Sequence, residues 1–173
     1  MDDHNRHRLF LKLLTEDTYQ CAWRYSWRLA ENREDAEDLL QESLAYAFEK
    51  IFSLREREAF RGWLLSIVRT KYIRHWHRKK RAPRQADELP ANSPAPSTRN
   101  PAGDVLAGAL ARLPESQREI LGLYYIDGLS LQETGQVLGI KPGVVKQRLF
   151  RARGALRRYF QPQLALMDMS ALF

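Results

Sequence analysis

Between Lys141 and Arg158 the chain reads KPGVVKQRLFRARGALRR. On a helix of 3.6 residues per turn, Val145, Leu149, Ala152 and Leu156 fall on one side, while Lys146, Gln147, Phe150, Arg151, Gly154 and Arg158 turn to the other. Guanidinium, ammonium and amide groups on one helix face are the donors that read base edges in a DNA major groove. An outward phenyl ring among cations suits a thymine methyl better than it suits water. No Asp or Glu occurs from Thr134 to Met167, so the positive charge is unrelieved. A solvated basic helix is the competing interpretation, and the exposed Phe150 weighs against it.

Two further stretches carry chemistry. From Arg69 to Arg84 the chain is uniformly basic, with Tyr72, His75, Trp76 and His77 interleaved; such a surface follows a nucleic-acid backbone and stacks on unpaired bases. Tyr72 and Trp76 lie beside the buried stripe of their helix, equally placed to finish a core or to touch bases. Asp35, Asp38 and Glu42 share a helix face at spacings of three and four, which suits either a solvated surface or a dock for a basic partner.

Other chemistries find no frame. His75 and His77 are two apart and point in different directions on a helix, with no third ligand in view. Cys21 is the single cysteine, so neither an internal disulfide nor a Cys-rich zinc site can form. There is no Walker-type glycine loop, no nucleophile in a Ser/His/Asp context and no pair of metal-binding carboxylates on a recognisable frame. No enzyme activity, cofactor or metal is expected.

The elements that must position these residues are helical. Pro114 suits the first position of a helix, which Asp127-Gly128 closes with a turn. Ser130 and Glu133 form an S-x-x-E capping box that starts a short helix at Leu131, ending at Leu138 before Gly139. Pro142 then opens a helix with nothing to interrupt it before Pro162. Together these form a helix-turn-helix with a basic second helix.

The N-terminal block reads as three helices. Leu9 to Leu29 is amphipathic, with Tyr19, Trp23 and Trp27 as expected core aromatics. Asn32 caps a second helix, whose early acids Glu34, Asp35, Glu37 and Asp38 complement its N-terminus, with Ala36, Leu40, Leu44, Ala47 and Ile51 inward. A third starts at Phe60 and buries Phe60, Leu64, Ile67 and Val68.

Between the two blocks, Ala82 to Asp104 holds five of the eight prolines and almost no large apolar residue. It reads as a flexible linker that cannot bury enough surface to order itself. With 173 residues, 44% of them apolar, and a formal charge of +7, the chain is long enough for two small cores and favours a polyanionic partner. No apolar run approaches the ~20 residues of a membrane span, and the N-terminus lacks an export signal. A reducing cytoplasm fits.

Three segments, in order and spacing, resemble the extracytoplasmic-function (ECF) sigma factors, small two-domain initiation subunits of bacterial RNA polymerase. NREDAEDLLQES is similar to their region 2.2 helix, FRGWLLSIVRTKYIRHWHRKKR to regions 2.3 and 2.4, and LPESQREILGLYYIDGLSLQETGQVLGIKPGVVKQRLFRARGALRRYF to region 4. The resemblance implies an all-α fold of two small helical domains: residues 5–84 as region 2, 85–104 as the Pro-rich linker, 105–163 as the region 4 helix-turn-helix and 164–173 as an apolar tail of unknown role.

It also implies partners and sites. Asp38, Gln41 and Glu42 fall where relatives dock on the β′ clamp helices of core polymerase, which favours docking for the acidic face. Arg61, Trp63, Arg69, Thr70, Lys71, Arg74 and Trp76 lie where relatives melt the −10 element and hold a flipped base, with Trp63 largely structural. Lys146, Gln147, Phe150 and Arg151 match the positions that read the −35 element. The β flap and an anti-sigma factor are further implied partners; the linker would thread towards the polymerase cleft. Departures occur at Ser66 and Thr70, where relatives have Arg and Asn, and at Lys141 and Val144, where they have Ser and Thr. The alternatives are a stand-alone helix-turn-helix regulator and, more remotely, an enzyme acting on nucleic acid through His75 and His77.

Overall fold

A computed structural model describes the backbone of residues 3–81 and 101–170 and the side chains of residues 3–75 and 106–159. Among the described residues there are helices and turns and no strand, in agreement with the all-α expectation. The helices are α1 (Asp3–Leu13), α2 (Glu16–Leu29), α3 (Arg33–Lys50), α4 (Phe60–Arg81), α5 (Pro101–Ala111), α6 (Glu115–Leu121), α7 (Leu131–Leu138) and α8 (Pro142–Ser170). Of these, α1 to α4 belong to one compact unit and α5, α6 and α8 to another.

The first unit is built where α2, α3 and α4 pack against one another. The expected single helix from Leu9 to Leu29 is two helices. Thr15 stops the first and caps the second, its hydroxyl accepting from the Thr18 N–H at 3.3 Å. Glu16 and Asp17 follow in the first turn, where carboxylates favour the positive end of the helix dipole. The expected core aromatics are also corrected. Tyr19 is exposed and Trp23 and Trp27 are half-buried, their rings tilted at 50° with centroids 5.7 Å apart. Instead α2 buries Thr18, Cys21, Ala22, Tyr25 and Ser26, because mostly small side chains let helix backbones approach closely.

On α3 the inward residues are Ala36, Leu40, Ser43 and Ala47, with Leu44 half-buried. Asn32 caps it as expected, Oδ1 accepting from the Asp35 N–H at 2.8 Å. On α4 the predicted stripe of Phe60, Leu64, Ile67 and Val68 is buried, joined by Leu65. Phe10 closes this core edge-on to Phe48 and Phe60, at 5.4 and 6.0 Å.

The second unit forms where α5 and α6 pack on α8, burying Ala109, Leu113, Ile120, Leu121, Leu123, Val145, Leu149 and Ala152. Pro114 stands one residue outside its helix, as the N-cap of α6, with its carbonyl accepting from Gln117 and Arg118. The helix does not run straight to Asp127: at Gly122–Ile126 it widens into a π turn, in which Asp127 N–H donates to the Gly122 carbonyl at 3.0 Å. Gly128 then takes φ 64°, the left-handed conformation that glycine adopts without steric cost.

Two boundaries move. The last residues assigned to the linker, 101–104, are the first turn of α5, where Pro101 occupies a position whose missing N–H costs nothing. The helix from Pro142 does not stop at Pro162 but continues to Ser170, so the backbone of 164–170 is helical; one proline removes one helical hydrogen bond and need not end the element. The remainder of the linker, 85–100, and residues 171–173 lie outside the described residues.

Candidate nucleic-acid interface

The cationic helix is positioned by local chemistry that is fully formed. Ser130 and Glu133 cap α7, Gly139 reverses the chain at φ 67°, and the Lys141 carbonyl accepts from both Val144 and Val145 N–H groups at the start of α8. A lysine in that position offers no side-chain oxygen to the free N–H groups of the first turn, so Pro142, pre-set to helical φ, carries the start instead.

Along α8, Val145, Leu149 and Ala152 are 0%, 3% and 0% exposed, whereas Phe150 is 72% exposed. Lys146, Gln147, Arg151, Gly154 and Arg158 are exposed with it. All four residues expected to read DNA therefore share one solvent face, held by a buried apolar stripe on the other. Arg148, Arg153 and Arg157, left out of that set, are exposed as well. Arg153 donates to the Tyr125 hydroxyl at 3.4 Å, a contact across 28 positions that helix periodicity alone does not reveal. Tyr125 and Ile126 are each 56% exposed at the end of the π turn.

On α4 the predicted contacts divide. Arg61 lies 3.7 Å from Asp17 on α2. Trp63 is half-buried with its ring 6.0 Å from Phe60. The Ser66 hydroxyl donates to the Trp63 carbonyl at 2.6 Å and the Thr70 hydroxyl to the Ser66 carbonyl at 2.8 Å. Both side chains thus give their only hydroxyl proton to their own helix. Arg69, Lys71 and Tyr72 are half-buried, and Thr70, Arg74 and His75 are exposed. The side chains of Trp76 and His77 lie outside the described residues.

The acidic face of α3 presents Asp38, Gln41 and Glu42 to solvent. Glu42 reaches across to α4, its Oε2 3.3 Å from Lys71 Nζ, and that ammonium stands 5.5 Å above the ring of Tyr46. One residue from the expected polymerase set and one from the expected −10 set are therefore in contact. Their separation of 29 positions left no sequence signal for the pairing, and Tyr46 was not singled out at all. At the start of the same helix Arg33 donates to the Glu37 carboxylate, and that bond pushes the guanidinium above its ordinary pKa.

Among the described residues no cluster of three His, Cys, Asp or Glu side chains could hold a metal ion, and no helix is long and apolar enough to cross a membrane. The geometry is that of a helical protein with an exposed cationic helix face on one unit and a mixed acidic and basic surface on the other.

That description matches known proteins in both halves. The family model for sigma-70 region 2 matches residues 14–82, and the model for sigma-70 region 4 matches residues 104–156. The chain is 34% identical over 146 residues to the ECF RNA polymerase sigma factor SigE of Mycolicibacterium smegmatis, covering 80% of this chain and 56% of that one. It is 32% identical over 159 residues to SigL of Mycobacterium tuberculosis, an ECF RNA polymerase sigma factor, covering 87% of this chain and 89% of that one. Its fold resembles the sigma factor RpoE in complex with the anti-sigma factor NepR from Bartonella quintana, with a TM-score of 0.65, 22% identity and coverage of 83% and 92% of the two chains. The chain belongs to the ECF family of RNA polymerase sigma factors.

Proposed function

We propose that the first unit joins core RNA polymerase and the −10 element while the second reads the −35 element. The observation that carries this reading is the face of α8, where Lys146, Gln147, Phe150 and Arg151 stand exposed together over a buried Val145, Leu149 and Ala152. In a major groove such a face donates to guanine and adenine edges and packs a ring on a thymine methyl.

On α3, Asp38, Gln41 and Glu42 present an exposed carboxylate and amide surface to the β′ clamp helices. Along α4, Arg61, Arg69, Thr70, Lys71, Arg74 and Trp76 line the path of the non-template strand, with Trp63 bracing the helix on Phe60. Because Ser66 and Thr70 donate to helix carbonyls, each offers a base only the lone pairs of its oxygen. The protein itself performs no covalent chemistry; phosphodiester formation belongs to the polymerase. It acts in the cytoplasm, where core polymerase resides, and the RpoE likeness supports control by an anti-sigma factor. A stand-alone regulator would leave the α3 carboxylates and the basic end of α4 without a task.

The test is run-off transcription with core polymerase on duplex and pre-melted promoter libraries. Asp38→Arg should abolish association with core enzyme. Arg151→Ala should weaken −35 selection by about 1–3 kcal/mol while leaving core association intact. Wild-type activity from both variants would overturn the assignment.

A further inference from the structure

Lys71 and Glu42 meet at the seam of α3 and α4, yet they serve different tasks in the function proposed above. The enclosure is unequal: the Lys71 side chain is 26% exposed and the Glu42 side chain 64%. The carboxylate is thus open to an incoming cation, while the ammonium is held between that carboxylate and the Tyr46 ring. A carboxylate oxygen and a phosphate oxygen compete for the same ammonium protons, whereas an aromatic face holds the cation with either partner.

We propose that Glu42 masks Lys71 in the free protein. A cationic group on the docking partner claims Glu42, and Lys71 is thereby released to a phosphate of the unpaired DNA strand, still steadied by Tyr46. The inference rests on the assignment of α3 to polymerase and α4 to the −10 strand. It makes the two binding events mutually reinforcing, since a coupling free energy acts equally in both directions. Solvent-exposed ion pairs set its size at about two- to fivefold. The pair is a bias on strand capture rather than a lock.

The reactivity of one lysine reads this directly. The full chain is treated with a water-soluble acetylating reagent, and modification of Lys71 is followed by mass spectrometry in the free protein, in its complex with core polymerase, and in that complex with a single-stranded oligonucleotide of −10 composition. In the free chain, E42Q should raise the rate at Lys71 about two- to fivefold. Assembly with core should raise the wild-type rate by a similar factor, and the oligonucleotide should lower it again. An E42Q rate equal to wild type, a rate that falls when wild type joins core, or a Lys71 that the oligonucleotide does not protect would each overturn the masking while leaving the complex itself observed. Failure of the wild-type chain to form any complex with core would overturn the docking assignment, and the release mechanism with it.

Discussion

Ser130 and Glu133 close on each other across the first turn of α7. Glu133 Oε2 accepts from the Ser130 N–H at 2.8 Å, and Ser130 Oγ accepts from the Glu133 N–H at 3.1 Å. Two N–H groups that would otherwise lack partners are satisfied reciprocally. Ser130→Ala should therefore lower stability by about 1 kcal/mol, seen as an earlier midpoint in urea unfolding. Glu133→Gln, which keeps an acceptor, should lose less than Glu133→Ala.

Gly139 links α7 to α8 at φ 67°, and a Cβ placed there would meet nothing within 4 Å. The cost of a side chain is conformational rather than steric with neighbours. Gly139→Val should destabilise by about 1–2 kcal/mol, and Gly139→Asn by clearly less, since Asn visits the left-handed region more readily. Paired thermal melts of the two variants decide this; equal losses would contradict it.

Leu149 and Phe150 are adjacent and opposite in role, 3% and 72% exposed. Leu149→Ala should cost about 2–5 kcal/mol of stability through the cavity it leaves. Phe150→Ala should stay within about 0.5 kcal/mol of wild type on unfolding, yet weaken and broaden binding to a −35 duplex in a fluorescence-anisotropy titration. A large stability loss from Phe150→Ala would show that the ring packs inside.

Ala36 on α3 is completely buried, while Ala45 on the same helix is exposed. Ala36→Leu should overfill the seam and destabilise by about 1–3 kcal/mol, whereas Ala45→Leu should be close to neutral. Chemical denaturation of the two variants side by side checks the packing.

Much of this architecture was legible because its signals are local. Asn32, the Ser130 and Glu133 pair, Gly139 and Pro142 each act within one turn of helix, and each does what its chemistry predicts. The inward and outward faces of α8 were equally readable, since periodicity separates Val145 from Lys146 without knowledge of what lies opposite. The core face of α2 was not. Large aromatics at Tyr19, Trp23 and Trp27 carry far more apolar surface than Cys21, Ala22 and Ser26, but close helix approach selects the small set. The break at Thr15 carried a usable signal in the acids that follow it; the π turn at Gly122–Ile126 carried none, because an added residue in a turn is decided by what packs around it. Contacts such as Arg153 to Tyr125 and Lys71 to Glu42 join residues far apart in sequence, and only the folded chain brings them together.

Anchor and reader are cut from the same rod in α8. One residue inserted after Leu149 would swing every later side chain by about 100° around the axis, turning Arg151 and Arg158 off the exposed face and pulling Ala152 off its support. Under the proposed −35 assignment, point changes on the outer face retune promoter choice, while the spacing between anchor positions admits neither insertion nor deletion. Divergence among descendants of this chain should accordingly appear as exchanged letters along this helix and never as altered length.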